Sequence, residues 1–122
     1  MLLIEDDDPL RNALAGSLRR HGHSTIEARS AEEAEQYFDG GVRPGLVLLD
    51  LNLPGHSGWD LLRGSLAPAP GRAPVVIISA MTVSPRQLRE SGADGYLPKP
   101  FALATFLETV KRFLGLPPDT AT

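Results

Sequence analysis

Asp50 stands where an unbroken apolar run, Leu46-Val47-Leu48-Leu49, gives way to Leu51-Asn52-Leu53-Pro54-Gly55. Leu2-Leu3-Ile4 stops in the same way at Glu5, Asp6, Asp7 and Asp8, and Val75-Val76-Ile77-Ile78 stops at Ser79. Gly95-Tyr96-Leu97-Pro98 runs into Lys99. Carboxylates, a hydroxyl and an ammonium therefore all sit at the ends of apolar runs, where a core has no structural need of them. Clustered carboxylates repel unless positive charge lies between them. Hard oxygen ligands of this kind suit Mg²⁺, which takes one or two carboxylates together with water and phosphate oxygens. Asp50 is the first candidate for chemistry. An aspartate before a Pro-Gly turn can also be a plain strand terminator, and it is the polar groups ending the other runs that weigh against that reading.

The elements that must position these groups follow from the pattern. An apolar run with no alternation reads as a strand buried on both faces, as in a parallel sheet covered by helices. Asp8 reads as the N-cap, and Pro9 as the first position, of a helix carrying Leu10, Ala13, Leu14 and Leu18 and closed by Arg19-Arg20-His21-Gly22. Ser24 to Ala28 is a weak strand, and Ser30-Ala31-Glu32-Glu33 is a capping box opening a helix that ends near Asp39-Gly40-Gly41. A third helix starts at Ser57 or Gly58 and carries Trp59, Leu61, Leu62 and Leu66 as far as Pro68-Ala69-Pro70-Gly71. Ser84-Pro85 opens a short fourth helix closed by Gly92. Leu103 to Leu114 is an amphipathic fifth, with Phe106, Leu107, Val110, Phe113 and Leu114 on its apolar face. Strand then helix, five times over, argues for an α/β fold with right-handed crossovers and helices on both sides of the sheet. Asp50 then lies at the carboxyl edge, where open α/β sheets place their ligands.

The chain of 122 residues suits one domain, and its formal charge of −3 gives no footprint for nucleic acid or an anionic membrane. Without cysteine there is no disulfide framework and no thiolate chemistry. No signal peptide is evident and no apolar run approaches the length of a membrane span, so a cytoplasmic location is the expectation. Residues 1–115 form the expected domain, and residues 116–122, with Pro117-Pro118, read as a tail or the start of a linker. His21, His23 and His56 share no metal-like spacing and read as surface residues, and Trp59 in an apolar helical stripe reads as core.

The Glu-Asp pair, Asp-Leu-Asn-Leu-Pro-Gly, the apolar strand ending in Ser-Ala, and Gly-Tyr-Leu-Pro-Lys-Pro-Phe occur in this order along the chain. Over residues 1 to about 115 the sequence thereby resembles the receiver domain of two-component response regulators. The resemblance implies a flavodoxin-like (βα)5 doubly wound sheet of strand order 2-1-3-4-5. It implies that Asp50 accepts a phosphoryl group from the phosphohistidine of a histidine kinase or phosphotransfer protein. Asp6 would be a direct Mg²⁺ ligand, Glu5 a second acid acting through water, and the Asn52 backbone carbonyl a further ligand beside Asp50. Lys99 would contact the phosphoryl oxygens, Ser79 would be the switch hydroxyl and Tyr96 the coupled aromatic. The switch would be a population shift that controls an output domain or partner, with self-phosphorylation and autodephosphorylation as the only catalysis. The kinase would dock on the first helix and the loop after the last strand, at Leu10, Ala13, Pro100 and Phe101; Leu10 and Phe101 read equally well as core. Asp7 could be a third acid at the site, but beside the helix cap it reads as structural.

Three departures from the family pattern stand out. The interval from Ser79 to Lys99 is short, clipping the fourth helix to about two turns, which counts against carrying over the family's phosphorylation-dependent homodimer. Gly95 stands where the winged-helix branch has a second aspartate. Met81 stands where a polar side chain could position a hydrolytic water, so slow autodephosphorylation is expected. Three other readings remain open. A pseudo-receiver would keep the fold without phosphorylation. A flavodoxin-like redox protein would need a loop for the flavin phosphate, where this chain has four acids that would repel it. A phosphatase with an aspartate nucleophile would carry a second acid where this chain has Asn52.

Overall fold

The computed structural model describes residues 1–55 and 57–116. In chain order the elements are β1 (Leu2–Ile4), α1 (Asp8–Arg20), β2 (Ile26–Ala28), α2 (Ala31–Asp39), β3 (Val47–Asp50), α3 (Gly58–Arg63), β4 (Val75–Ser79), α4 (Pro85–Ser91), β5 (Gly95–Pro98) and α5 (Leu103–Phe113). All strand pairings are parallel, in the order β2-β1-β3-β4-β5. This is the flavodoxin-like arrangement that the family resemblance implied. Residues 117–122, read as a tail, and His56 lie outside the described residues.

Both faces of the strands are apolar because both are covered. Leu2, Ile4, Val47, Leu49, Val75 and Ile77 point to one side, against α2, α3 and the half-buried Leu88 of α4. Leu3, Leu48, Val76, Ile78 and Leu97 point to the other, against Leu14, Ala15 and Leu18 of α1 and Phe106 and Val110 of α5. A fully buried Leu or Ile contributes about 1.5–3 kcal/mol, so the inner strands, fully buried from end to end, are a rigid base for whatever their ends carry. No helix among the described residues is long and apolar enough to cross a membrane.

Several boundaries differ from the sequence reading. The N-cap of α1 is Asp7, whose carboxylate accepts from Leu10 N at 3.1 Å, and Pro9 sits within the first turn behind Asp8. The buried side of α1 is Arg11, Leu14, Ala15, Ser17 and Leu18, while Leu10 is half-buried and Ala13 exposed. β2 begins at Ile26, two residues later than expected. Ser30 caps α2 by accepting from Glu33 N at 3.1 Å, but the Glu33 carboxylate turns to Arg29, 3.7 Å away. α3 ends at Arg63, yet Leu66 still reaches the core because its N–H bonds Leu61 O at 2.8 Å in the turn that follows. Trp59 is half-buried against the core.

α4 has two turns, as the short interval implied, and no fully buried residue. Its carboxyl end is held firmly. Gly92, with φ +78°, packs on the Pro68 ring, and Arg72 bonds Leu66 O (2.7 Å), Gly92 O (3.1 Å) and Asp94 Oδ2 (2.6 Å). Gly95 also has a packing reason: a Cβ there would lie 2.4 Å from the Phe113 ring of α5. Gly95→Asp should therefore cost about 1–3 kcal/mol. Adding Phe113→Leu should return much of that loss, read as denaturant midpoints of the two single variants and the double.

Candidate functional site

Four strand ends meet at the carboxyl edge of the sheet. Glu5 leaves β1 with its N–H bonded to Ala28 O at 2.9 Å, and its residue is fully buried at 0% exposure. Asp6 follows it and is exposed. Asp50 ends β3 at 3% exposure, with Oδ1 accepting from Asn52 N at 3.2 Å. Ser79 ends β4 fully buried, and its Oγ accepts from Met81 N at 3.0 Å. Lys99 N bonds Ser79 O at 2.8 Å, which extends the β4–β5 ladder one step and brings the lysine back over the edge. Its Nζ donates to Glu5 Oε1 and lies 3.7 Å from Asp50 Oδ2.

Glu5, Asp6 and Asp50 each offer a carboxylate oxygen, all within 4.8 Å of one another. They line a cleft of about 270 Å³ together with Asn52, Ser79, Met81 and Lys99. Four carboxylates, these three and that of the cap residue Asp7, against one ammonium leave the cleft short of positive charge, and its donors are all hard oxygens. That donor set fits Mg²⁺, which needs few protein ligands and keeps its other positions for water or phosphate oxygens.

Burial raises the Glu5 carboxyl to about 7, with the neighbouring Asp50 adding to the shift and Lys99 opposing it. The stability consequence has an unusual sign for a carboxylate. Between the ordinary glutamate value of 4.5 and about 7 the folded protein holds a proton that the unfolded chain has released. Stability from this source is present at low pH and is lost as pH rises through about 7. Thermal melts in chelator should fall by an amount on the order of 2 kcal/mol between pH 5 and pH 8, and Glu5→Gln should flatten that slope.

Of the residues expected at the site, Tyr96 alone does not line the cleft. Its ring is half-buried and its OH donates to Met81 O at 2.8 Å. The Met81 peptide therefore joins the two switch candidates, taking the Tyr96 hydroxyl on its carbonyl and giving its N–H to Ser79 Oγ. Asp7 is the helix cap. His21 is exposed, whereas His23 is half-buried, and burial lowers its pKa.

Sequence reasoning passed over Arg11. It is 8% exposed, donates from Nη1 to Glu5 O at 3.0 Å, and pairs with Asp8 at 2.6 Å and Glu27 at 3.4 Å. The signal was there: Arg11, Leu14, Ala15 and Leu18 make one helical stripe, and an arginine on a buried stripe calls for partners.

Gly58, the first residue of α3, is the backstop of Asp50. A Cβ on it would lie 2.6 Å from Asp50 O and 2.9 Å from Leu51 Cα, and its N–H bonds Leu51 O at 2.9 Å.

Comparison with known proteins gives one consistent picture. A model of the response regulator receiver domain matches residues 1–111. The uncharacterized transcriptional regulatory protein YvcP of Bacillus subtilis is 34% identical over 116 residues, covering 93% of this chain and 48% of its own. The transcriptional regulatory protein AfsQ1 of Streptomyces coelicolor is 37% identical over 102 residues, covering 82% of this chain and 44% of its own. The chain thus spans about half the length of such relatives. Among solved structures, a response regulator receiver protein from Burkholderia phymatum superposes with a TM-score of 0.83 at 30% identity, covering 96% of this chain and 95% of that one. The response regulator TrrA of Thermotoga maritima, solved in complex with Mg²⁺-BeF, superposes with a TM-score of 0.78 at 28% identity, covering 92% and 96%.

Proposed function

Because this chain belongs to the response regulator receiver domain family, we propose that it is a phosphorylation switch whose acceptor is Asp50. The observation that carries this is the meeting of Glu5, Asp6, Asp50, Ser79 and Lys99 in one cleft at the ends of β1, β3, β4 and β5. An oxygen of the Asp50 carboxylate attacks the phosphorus of a phosphohistidine. The O–P bond of an acyl phosphate forms as the P–N bond breaks, and the imidazole leaves with the bonding pair and takes a proton. Glu5, Asp6, Asp50 and the Asn52 backbone carbonyl would hold Mg²⁺, which when bound supplies positive charge between the carboxylates and the phosphoryl oxygens.

Lys99 leaves Glu5 to meet the new dianion, a displacement within reach because Nζ already lies 3.7 Å from Asp50 Oδ2. Ser79 turns its hydroxyl to the phosphoryl group. That turn pulls on the Met81 N–H it accepts from, and so on the Tyr96 hydroxyl bonded to the same peptide. The switch is a shift between two packings of the β4–α4 loop and Tyr96.

Leu10, Pro100 and Phe101 line a shallow pocket of about 380 Å³ beside Lys99, where a kinase or phosphotransfer protein would deliver its phosphohistidine. Ala13, exposed on α1, would extend that surface. Leu10 and Phe101 are half-buried, and Phe101 stacks on Phe106 at 5.5 Å, so each serves core and surface together. Residues 1–115 would be the domain and 116–122 a tail or the start of a linker, in a cytoplasmic regulator that acts on an effector domain or partner protein. The names of the Bacillus and Streptomyces relatives favour control of transcription, through the effector rather than by nucleic acid binding here.

Intact mass measurement after incubation with a small acyl phosphate tests the reading. A single Mg²⁺-dependent phosphoryl adduct on the peptide containing Asp50 supports it. No adduct from folded protein with Mg²⁺ present would leave a pseudo-receiver. Met81 is 46% exposed at the cleft and its thioether is a weak acceptor that holds a water poorly. Met81→Gln or Met81→Glu should shorten the half-life of the adduct roughly tenfold, and an unchanged half-life would remove Met81 from the account.

A further inference from the structure

We propose that Arg11 is the positioning residue of the acidic cleft, fixing the β1–α1 turn so that the Asp6 carboxylate is presented to a divalent cation. The inference rests on the reading of the cleft as an Mg²⁺ site. Asp6 is exposed, and among the described residues no hydrogen bond or ion pair holds its carboxylate. Its place is inherited from the turn that carries it, and Arg11 grips that turn on both sides. Before Asp6, Nη1 donates to Glu5 O at 3.0 Å. After it, the Arg11 N–H bonds Asp7 O at 2.8 Å and Nη2 lies 2.6 Å from Asp8 Oδ1. Nε faces Glu27 of β2 at 3.4 Å, and Glu27 is itself held by Arg19 at 3.1 Å, so the grip is anchored to the sheet.

A guanidinium suits this task. It is planar, always charged and able to serve several acceptors at once, whereas lysine offers one compact charge. At 8% exposure Arg11 is shielded from competing water. Outer partners that orient metal-binding carboxylates are typically worth 10–100-fold in metal affinity, and Arg11 belongs in that class while touching neither the metal nor the phosphoryl group.

The test is calorimetric titration of the protein with Mg²⁺ alone. Arg11→Gln should weaken binding about tenfold. Arg11→Lys, which keeps the charge but not the three-way grip, should fall between Arg11→Gln and wild type. Val110→Ala, in the α5 core away from the cleft, is the control for lost stability and should bind as wild type does. At saturating Mg²⁺ the rate of adduct formation should recover to within about twofold of wild type in both Arg11 variants, because the substitutions weaken occupancy of the site by the metal and not the step that follows. Unchanged Mg²⁺ affinity in the Arg11 variants would overturn the proposal, as would an equal loss in Val110→Ala. Should Arg11→Gln fail to fold, the comparison of Arg11→Lys with Val110→Ala decides by the same criteria. Wild-type protein that binds no Mg²⁺ overturns the underlying reading of the cleft together with this proposal, an outcome distinct from one in which wild type binds and the Arg11 variants match it.

Discussion

Asp50→Asn is expected to abolish the phosphoryl adduct entirely while making the protein more stable. The loss follows from the chemistry: an amide is no nucleophile toward phosphorus, and no other carboxylate of the cleft is held in the same way at the end of β3. The gain follows from the electrostatics. Asp50 is 3% exposed and Glu5 is 0% exposed, and they share the single ammonium of Lys99. Like charges that close destabilise the folded state, and the substitution removes one of them without changing its shape. The Asn52 N–H keeps its acceptor, and Glu5 loses the neighbour that raises its pKa. An increase of about 1 kcal/mol, or roughly 4 °C in Tm, is expected at neutral pH without metal. Differential scanning calorimetry beside the mass measurement checks both halves. A variant less stable than wild type would mean that Asp50 is held by attraction, contrary to the charge count. A site that gives up stability for function is a common pattern.

Gly58→Ala is expected to be among the most damaging single-methyl changes in the chain. The new Cβ would meet Asp50 O at 2.6 Å and Leu51 Cα at 2.9 Å, backbone atoms of the last residue of β3 and of the first residue after it. Neither can turn aside as a side chain can, so α3 must back away or the end of β3 must move. A cost of about 3 kcal/mol, with Tm lowered by roughly 12 °C, is expected. Any folded protein should be phosphorylated more slowly, because the displaced atoms belong to the proposed acceptor, Asp50, and its neighbour. The contrast with Gly95 is instructive: there the obstacle is the ring of Phe113, a side chain that can swing away. Melting temperatures and adduct rates measured on the same samples check this, and a Gly58→Ala protein as stable as wild type would show the turn to be adaptable.

Much of this fold and cleft was legible in the sequence, for a physical reason. Strands buried on both faces write themselves as unbroken apolar runs, so the residue at which each run stops is the residue at the sheet edge. Glu5, Asp50 and Ser79 were found in that way, and Lys99 by its place after β5. Side-chain detail was less legible. In Asp6-Asp7-Asp8-Pro9 any of the acids can cap a helix, and the choice of Asp7 is made by the 2.8 Å bond from Arg11 N to Asp7 O, the first turn of α1. Leu66 fell on the apolar stripe of α3 without belonging to the helix, because a turn can return a side chain to the same face. Arg11 was missed because charge alone suggests a solvated side chain, and its partners come from three different stretches of chain.

The sheet has one more consequence, at its rims. β2, the outer strand on one side, is only three residues long, and its middle residue Glu27 is engaged by two arginines. β5, the outer strand on the other side, ends in Pro98, which has no amide hydrogen to offer. An incoming chain seeking to lengthen the sheet finds a short charged border on one flank and a gap in the donor row on the other. Peptide capture by strand addition and edge-to-edge polymerisation are both disfavoured by such borders. Recognition of this domain is thereby left to its helix faces and loops.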